Sequence, residues 1–166
     1  EWQDSIAPHD NITFGLSGRF AIRKWFAFTA NLGASLYTMD TRDTLAKVLR
    51  QDEKVEKLLH NTEWLIAFRN NTMLRFAGDA AMNFTVRNFN ASLTYRFIQP
   101  DYVSLGAANF NQNSHSLGAV INTSLFKGRS NISAIGYIQR DNLNKKQMYT
   151  NQVATYSLNW NNNIGN

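Results

Sequence analysis

The sequence predicts an all-β fold: an antiparallel up-and-down transmembrane β-barrel, or a partial barrel, of about seven strands. Three observations predict it. Apolar and polar residues alternate over stretches of about ten residues; short and long connections alternate along the chain; and aromatic residues gather beside the short connections. A strand with a period of two has one dry and one wet face.

The first strand, NITFGLSGRFA, places Ile12, Phe14, Leu16, Gly18 and Phe20 on one face and Thr13, Gly15, Ser17 and Arg19 on the other. After a turn at Ile22–Lys24 the second, KWFAFTANLGASLYTMD, sets Phe26, Phe28, Ala30, Leu32, Ala34 and Leu36 against Thr29, Asn31, Gly33 and Ser35. A second hairpin pairs LRFAGDAAMNFTV with FNASLTYRFI around the two-residue turn Arg87–Asn88. A third joins HSLGAVINTSLF to NISAIGYIQRD through Lys127–Ser130, and a last strand, NQVATYSLNW, follows. Strands of this length are long for a soluble sheet and suit a tilted crossing of a bilayer.

The turns near 22–24, 87–88 and 127–130 are short, whereas those near 39–71, 99–114 and 142–150 are long. That alternation is the pattern of a barrel with tight turns at one rim and long loops at the other. Phe20, Trp25, Phe26, Phe84, Phe89, Phe126 and Trp160 adjoin the short turns or the level chain end, and form one expected aromatic girdle. Tyr37, Phe97 and Tyr102 are candidates for the opposite belt.

Orientation follows from what each face carries. The dry face includes many small residues (Gly18, Ala30, Gly78, Ala80, Ala91), which would pack a thin core but suit a smooth lipid-facing wall. The wet face carries Arg19, Asn31, Arg75, Asp79, Asn83, Arg96, Asn122, Gln139 and Asn159. Such groups are costly in an apolar interior and inexpensive in a hydrated lumen, so they are the expected lumen-facing set. A soluble lipocalin-like barrel, with the Phe/Leu/Ala face inside, is the alternative.

One segment breaks the strand pattern. Leu45, Val48, Leu49, Val55, Leu58 and Leu59 recur at roughly helical spacing, which predicts a short amphipathic helix in the first long loop.

The totals agree without deciding. The 166 residues could form one domain; the chain has no cysteine, a formal charge of +5 and no apolar run long enough for a transmembrane helix. Lys and Arg are scattered, with no basic run, so nucleic acid is not an expected partner. Glu1 follows no initiator methionine or signal segment, so the chain reads as processed or as part of a longer protein. An odd number of strands is unusual in a single-chain bacterial barrel, and points the same way: one barrel domain over 1–166 that belongs to a larger barrel.

The run from Tyr95 to Leu143 adds a resemblance. Tyr95–Arg96 ends a strand, Pro100 to Gly106 reads PDYVSLG, Phe126 to Gly128 reads FKG, and Arg140 to Leu143 reads RDNL. With FAGDAAMNFTVRNF before them, these resemble a family of outer-membrane β-barrel proteins of the Bacteroidota, over Phe76 to Leu143. The resemblance implies a barrel in a bacterial outer membrane, in contact with its lipid. It brings no catalytic residues, and family members are much longer than this chain.

Catalytic and metal sites find little support. His9, His60 and His115 are the histidines, and NSHS (Asn113–Ser116) with Asp101 is the nearest approach to a Ser/His/Asp group. No GxSxG, HExxH or phosphate-binding loop occurs. Asp40, Asp43, Asp52 and Glu53 lack the spacing of a calcium loop. The expectation is a protein that is not an enzyme and has no cofactor and no metal. The lumen arginines, with Asp79, either form interior ion pairs that stiffen the wall or leave a positive potential favouring small anionic solutes. Passage of small solutes is the expected function. A non-conducting barrel whose long loops bind a surface or periplasmic protein, or a glycan, is the alternative.

Overall fold

A computed structural model of the chain describes residues 8–42, 69–103 and 113–163. Among them the chain is all-β, with seven strands: β1 (Asp10–Ile22), β2 (Phe26–Thr38), β3 (Thr72–Val86), β4 (Phe89–Ile98), β5 (Ser114–Leu125), β6 (Ser130–Asp141) and β7 (Gln152–Asn162). They form one up-and-down sheet in chain order, with β1 and β7 at its edges. The sheet is open, since those edges do not pair with each other. The helix expected between Leu45 and Leu59 lies outside the described residues.

Local chemistry explains the tight connections. Val86 pairs directly with Phe89, so Arg87–Asn88 forms a two-residue hairpin loop, with Arg87 at a φ of 50°. Such loops favour a left-handed residue because it matches the twist of the flanking strands. The β5–β6 turn is built from Phe126, Lys127 and Gly128, all at positive φ. Phe126 therefore belongs to the turn rather than to the strand before it.

Register carries the alternation of single strands across the sheet. Met82 faces Leu93, Leu93 faces Ala119, Ala119 faces Gly136 and Gly136 faces Tyr156. Three residues along, and so on the other side, Asp79 faces Arg96, Arg96 faces Ser116 and Ser116 faces Gln139. Directly opposed residues share a face, so over β3 to β7 the sheet has one mainly apolar side and one mainly polar side; Val120, Ile135 and Tyr137 interrupt the second, and His115 and Arg140 end the first.

The described residues group into two compact units. One contains 8–14, 34–42, 69–75 and 103; the other contains 15–33, 76–102 and 113–163. Neither holds an apolar core of ordinary size. Among the described residues Ile98 and Tyr102 are the buried hydrophobic side chains, at 6% and 7% exposure. The apolar face is open instead: Phe14 is 51%, Leu93 41%, Ile121 43% and Leu158 73% exposed.

Candidate functional site

The expected lumen residues of the larger unit share the polar face. Asp79 and Arg96 stand directly opposite each other on β3 and β4, with Ser116 and Gln139 continuing the rung. Asn83 faces Ser92, and Asn122 lies in the rung that runs on to Asn159. On β2, Asn31 donates from Nδ2 to Asp79 Oδ2 at 2.9 Å. Arg19, Asn31 and Asp79 line one cavity of about 600 Å³, whose other walls include Leu16, Phe28 and Phe97.

Among the described residues Arg19, Asp79 and Arg96 take part in no ion pair. An ion pair does join Arg42 to Asp40, in the smaller unit. Asp79 is engaged by a neutral amide while Arg96 stands opposite it. The charges therefore remain on an exposed surface rather than stiffening the wall as a salt bridge. Arg75 lies in the smaller unit, where its guanidinium donates to the Leu74 carbonyl at 3.2 Å and reaches Met73 Sδ at 3.5 Å.

A second cavity, of about 400 Å³, is lined by Asn31, Gly33, Asp79, Arg96, Ile98 and Tyr102. Its wall depends on a residue that periodicity misplaces. Tyr102 does not sit exposed in a second aromatic belt; it is buried, with its hydroxyl over Gly33. A Cβ on Gly33 would lie 2.9 Å from that oxygen, so only glycine admits the ring in this position. The reversal comes from Pro100 and Asp101: Asp101 adopts a φ of 58°, and the Tyr102 N–H donates to the Gln99 carbonyl at 3.4 Å. Pro-Asp was a legible turn signal, but the direction in which it sends the next side chain was not.

The smaller unit shows where the following residue goes. The Val103 carbonyl accepts from Asn11 Nδ2 at 2.9 Å and from the buried Ser35 hydroxyl. Asn11 and Ser35 both belong to the polar parity of their strands. Nearby, Arg42 grips Asp40 through Nε at 3.0 Å, Nη2 at 3.1 Å and its backbone N–H at 2.8 Å. Those side-chain and backbone bonds hold the Asp40 carboxyl below its usual range.

The aromatic residues expected to form a girdle flank the tight turns of the larger unit. Trp25 and Phe26 approach at 5.9 Å, Phe26 and Phe84 at 5.0 Å, and the Thr85 N–H donates to the Trp25 carbonyl at 2.8 Å. Trp160 is exposed, yet its indole N–H donates to Ser130 Oγ at 2.9 Å. Phe20, Phe89 and Phe126 are exposed as well.

The NSHS run assembles no nucleophile and base. β5 alternates, so Ser114 and Ser116 oppose Ile98 and Arg96, whereas His115 opposes Phe97 and meets Tyr95 at 6.3 Å. Adjacent strand residues point to opposite faces. Asn113 turns to Asn144 instead, donating from Nδ2 to Oδ1 at 3.1 Å. Among the described residues no three histidine or acidic side chains gather as a metal-ligand set. Asp40 is described, while Asp43, Asp52 and Glu53 lie outside the described residues.

No family model, curated protein or solved structure matches the chain.

Proposed function

We propose that this chain is wall from a bacterial outer-membrane β-barrel of the Bacteroidota type, and that the barrel passes small solutes through a polar lumen without catalysing a reaction. One observation carries the reading. The Phe/Leu/Ile face is open to its surroundings, with side chains such as Leu93, Ile121 and Leu158 exposed. Apolar surface of that extent is costly in water and is accommodated by hydrocarbon. The opposite face supplies Arg19, Asp79 and Arg96 beside neutral amides, a lining that solutes can exchange with. The exposed aromatics beside the tight turns fit the headgroup level.

A second reading, a non-conducting barrel whose loops bind a protein or glycan, draws support from Tyr102 and Val103. Tyr102 turns onto Gly33 in the larger unit and Val103 onto Asn11 and Ser35 in the smaller, so loop residues occupy polar-parity positions in each.

Nitroxides at Leu93 and at Thr94 test the membrane reading in the complete protein reconstituted in vesicles. Relaxation by oxygen is expected to dominate at Leu93, and relaxation by a water-soluble nickel complex at Thr94. The reverse pattern refutes it. Planar-bilayer conductance then separates the readings: a steady ionic current favours passage of solutes, and silence favours the binding barrel.

A further inference from the structure

The polar face carries a second concentration of side chains, close to the tight turns, that the charged rung does not use. Register places Asn90, Asn122, Ser133 and Asn159 in one rung across β4 to β7. Ser124, Asn131 and Asn161 form the next. Neighbouring strands lie about 4.8 Å apart, so the two rungs make a lattice of amides and hydroxyls. These side chains, with Asn88, line a cavity of about 270 Å³, and no charged residue contributes to it.

The lattice has hydrogen-bonding capacity to spare. A carboxamide offers two donors and an oxygen acceptor. Among the described residues, Asn131 donates to the Gly128 carbonyl at 3.2 Å and Asn159 to Ser157 Oγ at 3.3 Å. The side chains of Asn88, Asn90, Asn122 and Asn161 make no bond to other described residues. Four exposed amides are thus available together, in a hollow, on a regular grid.

That chemistry selects among ligands. A phosphate or carboxylate calls for the paired donors of Arg or the charge of Lys. A divalent cation calls for carboxylates. An apolar molecule would strip water from the amides and return no hydrogen bond. A ring of neutral hydroxyls does return them, because each hydroxyl donates and accepts at once, as each amide does. We infer that the Asn lattice on β4 to β7 is a binding site for a neutral saccharide. Its contacts are neutral and solvent-exposed, so binding is weak, as a site along a passage requires: favourable enough to enter and loose enough to leave. The inference rests on the reading of the polar face as a hydrated lumen and names the class of solute that the lumen takes.

The test uses the full chain folded in detergent micelles, with maltotriose, cellotriose and triacetylchitotriose as neutral probes and glucose 6-phosphate as the charged comparison. Saturation-transfer NMR is expected to show transfer to at least one trisaccharide. Affinity is expected to fall at least fivefold in the Asn122→Ala/Asn159→Ala double variant and in Asn122→Asp, which keeps the size but removes the donor. Lys146→Ala, on the exposed loop between β6 and β7 and outside this cavity, is expected to bind as the parent does. A native-like circular dichroism spectrum is required of each variant. Should a variant fail to fold, protection of Asn122 and Asn159 amide signals by the saccharide in the parent protein decides the matter. No transfer to any of the three trisaccharides, undiminished binding in the double variant, or stronger binding of glucose 6-phosphate each overturns the inference. Failure here with the Leu93 label still in lipid sinks the saccharide site alone; a Leu93 label in water sinks the membrane reading instead.

Discussion

Gly78 and Gly136 lie on the same apolar face, and each faces an aromatic ring across a strand pair, Phe97 and Tyr156. A Cβ on Gly78 would come within 2.8 Å of the Asn31 backbone oxygen and 3.0 Å of Phe97 Cε1. On Gly136 the nearest atom, Tyr156 Cδ1, would be 3.5 Å away, an ordinary contact. Backbone cannot swing aside as a side-chain tip can, so Gly78→Ala is expected to lower stability by about 1–3 kcal/mol. Gly136→Ala is expected to be neutral or to raise stability by up to about 1 kcal/mol, since it restricts the unfolded chain. Urea unfolding of the two variants in micelles checks the contrast. The pair looks the same in the sequence, two small residues in alternating strands, because a close approach by another strand's backbone leaves no local trace.

Asp40 supplies a residue-scale prediction of a different kind. Its carboxyl is held low, first by the Arg42 side-chain hydrogen bonds. A depressed folded value stabilises the fold above the unfolded value and loses that contribution as pH falls through the folded one. The loss is therefore expected below about pH 4. Arg42→Ala is expected to move the Asp40 titration upward, read by the chemical shift of its carboxyl carbon.

At the scale of elements, the strands were legible and the loops were not. Period-two alternation located seven strands and their faces because a sheet transmits side-chain direction without interruption. The loop between β6 and β7 appeared only as a long polar connection. Its organiser is Asn142, buried at a φ of 57°. Its Nδ2 reaches the Gln147 carbonyl at 3.1 Å, the Tyr149 carbonyl at 3.2 Å and Thr150 Oγ1 at 3.0 Å, and its Oδ1 accepts from the Gln147 N–H at 3.1 Å. Asn142→Ala removes these bonds, leaves carbonyls without partners and keeps the left-handed backbone. A loss of about 2–3 kcal/mol is expected, seen as faster amide exchange at Asn151 and Gln147. Asn142→Asp is expected to fare little better, because a carboxylate cannot donate to three acceptors. Asparagine is common throughout this chain, so nothing in the sequence marked this one.

At the scale of the molecule, direction has consequences. Seven up-and-down strands leave β1 and β7 running the same way, so a wholly antiparallel closure requires an odd number of further strands between them. The proposed membrane setting also distinguishes two neighbouring residues of β4. Leu93→Arg puts a charge on the apolar face and is expected to cost about 2–4 kcal/mol near the bilayer midplane. Thr94→Arg, on the polar face, is expected to cost far less. Stability of both variants folded in lipid vesicles checks this, and equal costs would argue against lipid on the Leu93 side.

By itself the sequence determined what depends on neighbours along the chain: the strands, the tight turns, and the division into an apolar and a polar side. Those are local matters of steric period and turn chemistry. Only the tertiary structure decided which polar groups meet. Asp79 takes the Asn31 amide rather than an arginine, Tyr102 folds over Gly33 instead of joining a belt, and Asn90, Asn122 and Asn159 fall into one rung. Register between distant strands and the reversal of a loop fix such meetings, and neither is encoded by the spacing of residues along one strand.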